Sequence, residues 1–401
     1  MKAAIVVFVG LLVGASNVMA ESTKIEAGIA SARRLVEEAV MQGQVPGAAM
    51  LVAVDGKVLA EHALGYAQIN DFEMRRLAEP RAMQKSTVFD LASVTKVMAT
   101  TMAVMILVDQ KKLDLDEPVH MYLPEFRGAE LDLITSRHLL THTAGLVQWT
   151  PLYYQASNKA DVYKAIRSLP LQWPVGEGFH YSDLGFMILG TLVERIAAMP
   201  LDKFLDEALY RPLGLTHTGF LPRARGLTDF AATEAGNGYE RHMIYGPNFG
   251  YGYKGDPTSW DGWRRYVLDG EVNDGNAWYA NGGVAGHAGL FSTTGELKVL
   301  MDLLLSRGTI QGRRFLSAQV VDTFLAPNAH LGWRQPEGLP PGAFAHTGFT
   351  GTYVLGVPEA KLAFILLTNR QNAGTDPKGF FADLGPLQEA ASRALLEGFA
   401  R

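Results

Sequence analysis

Ser93 and Lys96 stand three residues apart in FDLASVTKVMATTMAVMILVD, where a turn-like stretch gives way to a long apolar run. On a helical turn two such side chains share a face with Cβ atoms about 5 to 6 Å apart, so the lysine amine reaches the serine hydroxyl. At a helix amino terminus the free N–H groups and the positive end of the helix dipole also favour an oxyanion beside the serine. That is the chemistry of a nucleophile. Serine and lysine are both common residues, and the pair alone arises by chance about once in a few hundred residues. Its neighbours strengthen it: Val94, Met98, Ala99 and Met102 place Lys96 in an apolar segment, where an unpartnered amine is costly and loses its proton more readily.

Two further groups could complete such a site. Tyr181, Ser182 and Asp183 precede the apolar run LGFMILG. A tyrosine carries protons when cations hold its oxygen near ionisation, and Lys96 is the obvious cation; the plainer reading is a packing tyrosine ahead of an N-capping Ser or Asp. The third group is AHTGFTGTYVLG, in which His346, Thr347 and Gly348 lie on a predicted strand whose glycines let an extended ligand lie alongside it.

The elements that must position these residues are legible around them. SARRLVEEAVMQG (31–43) has helical spacing and a glycine stop, and AAMLVAVDGKVLAEHALGYA follows as two strands around Asp55–Gly56. A long helix starts near Ser93 and runs to Gln110, after which helices broken by Gly, Pro and aromatic loops continue to about Gly332. Residues 223–283 are rich in Gly, Asn, Asp, Tyr and Trp without periodicity and read as long loops, either lining a cleft or forming a solvated insertion. Thr293 and Glu296 have capping-box spacing before a helix, Ala343–Arg370 returns to strand character with a turn at 358–361, and LGPLQEAASRALLEGFA closes as a helix. Strands at both ends and helices between them predict an α/β (α+β) fold: a central antiparallel sheet made by the two termini (21–110 plus 335–401), flanked by helices, with an inserted, mainly helical lobe (111–334). The site is expected between the lobes.

With 401 residues, 48% hydrophobic and 19% charged, the chain is large enough to enclose a site, and its net charge of -5 gives no basic footprint for nucleic acid. Cysteine is absent, which excludes disulfides and thiol catalysis. Residues 1–20 read as one lysine, an apolar run from Ala3 to about Ala15 and the small-residue pattern Val18-Met19-Ala20, a cleavable export signal; the run is short of the ~20 residues of a spanning helix. The expectation is a periplasmic protein with no membrane span after signal removal. The sequence carries no signal for oligomeric state.

Taken in order, the three motifs are similar to those of the serine penicillin-recognising family, which includes class C β-lactamases, low-molecular-weight penicillin-binding proteins and β-lactamase-like esterases. LLTHTAGL (139–146), LYRPLGLTHTGF (209–220), GGVAGHAGLFSTTGEL (282–297) and LLTNR (366–370) extend the resemblance over nearly the whole chain. YSDLGFMILG, AATEAGN (231–237) and VNDGNAWY (272–279) look most like its exported D,D-carboxypeptidase branch called penicillin-binding protein 4B, and muropeptide amidases share parts of the last two. The resemblance implies that Ser93 is acylated, that Lys96 and Tyr181 relay its proton, and that the N–H groups of Ser93 and Phe349 form the oxyanion hole. Asp183, His346, Thr347 and Gly348 would contact substrate, a peptidoglycan-derived peptide or a small acyl compound; no cofactor and no metal are implied.

Two departures bear on mechanism. Asp183 stands where the family usually has asparagine, and a carboxylate there would hold Lys96 charged, which favours Tyr181 as the base. His346 stands where β-lactamases have lysine, so the cation that grips a substrate carboxylate would be charged only part of the time near neutral pH. Two other functional classes remain: an esterase on small acyl esters, and a muropeptide-binding protein without catalysis. His138 and His142 have zinc-like spacing, but Leu139 occupies the place of the glutamate of H-E-x-x-H. No serine sits in G-x-S-x-G.

Overall fold

The computed structural model describes residues 4–246, 253–327 and 330–399, with side chains from Thr23 onward. The side chains of the expected export signal, residues 1–20, lie outside the described ones. Helix α1 spans Ala4–Met41. Strands β1 (Gly47–Val54) and β2 (Lys57–Asn70) form the expected hairpin about Asp55 and Gly56, whose φ values of 49° and 75° are those of a tight primed turn. β3 (Arg76–Ala82) lies beyond β2, and β4 (Phe89–Asp90) forms a short ladder with β5 (Phe291–Ser292). After the small hairpin β6 (Thr309–Ile310) and β7 (Arg313–Arg314) come β8 (Phe344–Thr347), β9 (Tyr353–Val357) and β10 (Leu362–Thr368). The main sheet is antiparallel in the order β3-β2-β1-β10-β9-β8, so the two ends of the chain meet at its centre, with Leu51 opposite Ile365.

Both faces of β1 are covered, which is why it reads as an unbroken apolar run. Met50 and Val52 share one cluster with Phe364, with Val36 of α1 and with Leu395 of the closing helix α10 (Gly385–Glu397). Leu51 and Ile365, one residue out of phase, join the larger cluster on the other side, as the two-residue repeat of a strand requires. That cluster contains helices α2 (Met102–Asp109), α3 (Ser136–Leu140), α4 (Lys159–Ser168), α5 (Asp183–Ala197) and α6 (Leu201–Leu205). α7 (Gly238–Tyr245), α8 (Thr294–Leu305) and α9 (Ala318–Leu325) complete the helices. Although α8 lies within the range expected for the helical lobe, it packs on β10 and β1. Ala92–Asp109 is apolar and long enough to cross a membrane, yet it is buried inside this core.

Three elements differ from expectation for physical reasons. β3 carries Arg76, Glu79, Pro80 and Arg81, the composition of a protected sheet edge, and has no apolar alternation to signal it. α7 lies within the stretch expected to be loops; its sequence GYERHMIY buries Glu240 along with Met243 and Ile244. The helix expected to begin at Ser93 is instead a 3₁₀ turn (Ala92–Val94), a widened π-type turn (Lys96–Thr101) and then α2.

Candidate active site

The nucleophile turn is tied down on three sides. Ala92 has φ of 45°, a left-handed conformation that costs an alanine energy, and it persists because its surroundings fix it. Asp90, 2% exposed, accepts from Ala92 N (2.9 Å) and Asn273 N (2.6 Å). Thr350 Oγ1 donates to the Asp90 carbonyl and Thr352 Oγ1 to the Leu91 carbonyl (2.7 and 2.9 Å). Gly348 sits so close that a Cβ there would lie 2.4 Å from the Leu91 oxygen. The turn carrying Gly348 and Phe349 is thereby pressed against the turn carrying Ser93.

Lys96 is fully buried, and its Nζ faces three acceptors: Ser93 Oγ at 2.8 Å, the His287 carbonyl at 3.2 Å and Asp183 Oδ1 at 2.7 Å. Ser93 Oγ and the His287 carbonyl accept hydrogen bonds from it, and the Asp183 carboxylate pairs with its charge. Burial alone would push Lys96 down, but the Asp183 carboxylate and the Tyr181 phenol outweigh it and hold the amine above its ordinary value. Tyr181 lies just before α5, whose N-cap is Ser182. Its ring has Lys96 Nζ 5.0 Å and the Arg334 guanidinium 4.9 Å from its centre, an arrangement in which two cations would offset the charge of a phenolate. His142 Nδ1 accepts from Ser182 N (3.0 Å), while His138 Nδ1 accepts from Thr135 N (3.2 Å); the two rings with zinc-like spacing are committed to separate local tasks.

His346 requires a correction. It is 2% exposed, and burial, reinforced by Lys96 and Arg334, pushes it down to about 3, so it is neutral at physiological pH rather than partly charged. The fixed cation at the cleft is Arg334, which the sequence reading missed. It is exposed, paired through its backbone with Ala345 of β8, and it lines a cleft of about 360 Å³ with Ser93, Tyr181, His346, Thr347 and Arg370. Thr347 and Phe349 are exposed there and Gly348 is buried. Phe349 stacks loosely on Tyr239 and its carbonyl accepts from Arg370 Nε (2.9 Å), while its own N–H has no protein acceptor among the described residues.

On the other side of Ser93 lies a pocket of about 190 Å³ built largely from residues 239–288. Asp274 Oδ1 is 2.8 Å from His287 Nε2, and Glu240 accepts from Tyr153 OH (2.9 Å) and Gly275 N (2.6 Å). A Cβ on Gly275 would lie 2.2 Å from Glu240 Oε2, so only glycine admits this contact. Burial, then the nearby Asp274 charge, raises Glu240 to about 8; burial raises Glu234 to about 7 and Asp90 to about 6.

These raised carboxyls have a consequence for stability. A group whose folded value exceeds its unfolded value contributes fully below the unfolded value and loses that contribution as pH rises toward the folded one. For Glu240 the window is pH 4.5 to 8, at up to about 1.4 kcal/mol per pH unit. Glu240→Gln should therefore become progressively more stable relative to wild type between pH 5 and 8, as read from urea midpoints. Parallel profiles for the two proteins would refute this account of Glu240.

The comparisons with known proteins bear on the family of the chain. The family model described as Beta-lactamase matches residues 32–384. An N-acetylmuramyl-L-alanine amidase of Bacillus subtilis (strain 168) is 33% identical over 371 residues, covering 84% of this chain and 80% of that protein. A protein of Salmonella agona (strain SL483) named a D-alanyl-D-alanine carboxypeptidase is 32% identical over 377 residues, covering 85% and 84%. Among solved structures, EstCE1, a hydrolase with promiscuous acyltransferase activity, superposes with a TM-score of 0.67 at 21% identity, covering 92% of this chain and 99% of that one.

Proposed function

The chain belongs to the Beta-lactamase family, and on that premise we propose that it is an exported serine hydrolase that removes the terminal D-alanine of cell-wall peptides through an acyl-enzyme. The observation that carries the reading is the contact of Lys96 Nζ with both Ser93 Oγ and Asp183, at a cleft whose exposed cation is Arg334. Ser93 Oγ attacks the peptide carbonyl while Tyr181, acting as its phenolate, takes the hydroxyl proton and becomes the neutral phenol. The N–H groups of Ser93 and Phe349 receive the oxyanion, each such donor being worth about 3 to 4 kcal/mol of barrier. Tyr181 returns the proton to the departing D-alanine amine, and water then hydrolyses the ester. Lys96, held as an ammonium, stabilises the charge on Tyr181 and aligns Ser93.

Arg334 supports a substrate with a free carboxylate, the group that an esterase on small neutral acyl compounds has no need to grip. Arg334→Ala should lower kcat/KM on a D-alanyl-D-alanine peptide about 10- to 100-fold, the worth of a charged hydrogen bond. Hydrolysis of p-nitrophenyl acetate should fall several-fold at most. Equal losses on both would sever Arg334 from carboxylate recognition.

The Bacillus subtilis relative favours a second reading, cleavage of the muramyl–L-alanine amide. Incubation with a muramyl pentapeptide separates the two, since a carboxypeptidase releases free D-alanine and an amidase releases a peptide with a new L-alanine amino terminus. Neither product would sink both. Export to the periplasm rests on residues 1–20; an intact mass of the protein recovered from cells that begins at Glu21 supports it, and one that retains Met1 opposes it.

A further inference from the structure

The cleft around Ser93 is electrically two-sided. On one side stand Arg334 and Arg370. The other side is lined by the carboxyl groups of Asp183, Glu240 and Asp274 and by the rings of Trp149, Tyr181, Tyr239 and Phe349, with no lysine or arginine among its lining residues. Asp183 is answered by Lys96, and Asp274 by His287. Among the described residues Glu240 has no cationic partner: its neighbours are the Tyr153 hydroxyl, the Gly275 N–H, Asp274 and Glu234. His287, 1% exposed, lines the same pocket and gives Nε2 to Asp274, while its Nδ1 has no partner among the described residues.

A carboxyl without a counter-charge and several aromatic faces around one small pocket are what a primary ammonium requires: an ion-pair partner that also accepts its hydrogen bond, and rings for cation–π contact. If the leaving group's carboxylate is held at Arg334, this pocket receives the acyl part. The geometry points to an acyl donor that carries a free primary ammonium, seated between Glu240 and the surrounding rings, so that the whole substrate is zwitterionic across Ser93. This deepens the D-alanyl carboxypeptidase reading and rests on it for which side is the acyl side. The arrival of an ammonium also reverses the balance that keeps Glu240 protonated, since it supplies the positive charge which Tyr153, Asp274 and Glu234 do not.

The test compares Nα-acetyl-lysyl-D-alanyl-D-alanine with its Nε-acetylated counterpart, which differs only in the ammonium. The same two acyl groups are also presented as thioesters of mercaptoacetate, a leaving group that keeps the carboxylate. Wild-type kcat/KM is expected to favour the free amine by about tenfold or more on both leaving groups, chiefly through KM, as a partly desolvated ion pair provides. Glu240→Gln should shrink that preference below about threefold. Equal rates on the two acyl groups, a preference for the acetylated one, or a full preference surviving in a folded Glu240→Gln would each overturn the inference. Should the variant not fold, the wild-type ratio alone decides. If no D-alanine is released but the thioester pair retains its preference, the carboxypeptidase reading fails and the ammonium pocket stands.

Discussion

Ser93→Ala should lower kcat/KM on every substrate by about 10⁴-fold or more, the scale seen when the nucleophile of a cooperating catalytic group is removed. The protein should remain folded. Ser93 Oγ is one of three acceptors around Lys96, and the other two, Asp183 and the His287 carbonyl, continue to satisfy the ammonium. The turn's unusual backbone is fixed by Asp90, Thr350 and Thr352, none of which touches the serine hydroxyl. The measurement is steady-state hydrolysis together with fluorophosphonate labelling read by intact mass. Wild type should gain a single adduct on the peptide containing residue 93, and the variant should gain none. A labelled Ser93→Ala protein, or one that retains a tenth of wild-type activity, would end the acyl-enzyme account and leave a binding protein or a different nucleophile.

The parts of this site that depend on local spacing were legible in the sequence. A serine and a lysine three residues apart meet on any right-handed turn, and here they do so at 2.8 Å even though the turn is 3₁₀ and then π-type rather than regular α-helix. The central terminal strands announced themselves because β1 and β10 are apolar along almost their whole length, and Asp55–Gly56 marks the hairpin of β1 with β2. What depends on distant convergence was not legible. Arg334 is a single arginine in a polar stretch, and only its bridge to Ala345 brings it over Tyr181. Tyr153, Glu240, Gly275 and His287 come from four separate segments, and nothing in the spacing of any one of them signals the pocket they build. The neutrality of His346 follows from its burial beside two cations, a property of packing rather than of motif.

Tyr181→Phe should cost about 10³-fold in kcat, within the 10²- to 10⁴-fold range of a positioned general base, with KM little changed. The base must be a group beside Ser93 that can accept a proton. Lys96 donates to Ser93 Oγ and the His287 carbonyl, lies 2.7 Å from the Asp183 carboxylate and is held above the ordinary lysine value, so it stands beside Ser93 as an ammonium. His346 is neutral, but its Nδ1 is engaged with the Thr347 carbonyl, which requires that nitrogen to donate, and its Nε2 is buried without a partner among the described residues. Tyr181 remains, and as a phenolate whose charge is offset by Lys96 and Arg334 about its ring it can take the serine proton and become the neutral phenol. Because the lysine is already charged, activity should show no limb that Lys96→Arg displaces between pH 6 and 9, whereas a neutral lysine base would produce one. The decisive comparison sets the acylation rate of Tyr181→Phe, from single-turnover kinetics on a thioester, against that of wild type over this range. If the variant acylates within threefold of wild type and the Lys96→Arg profile shifts, the proton goes to the lysine, and Asp183 then serves to tune that amine rather than to lock its charge.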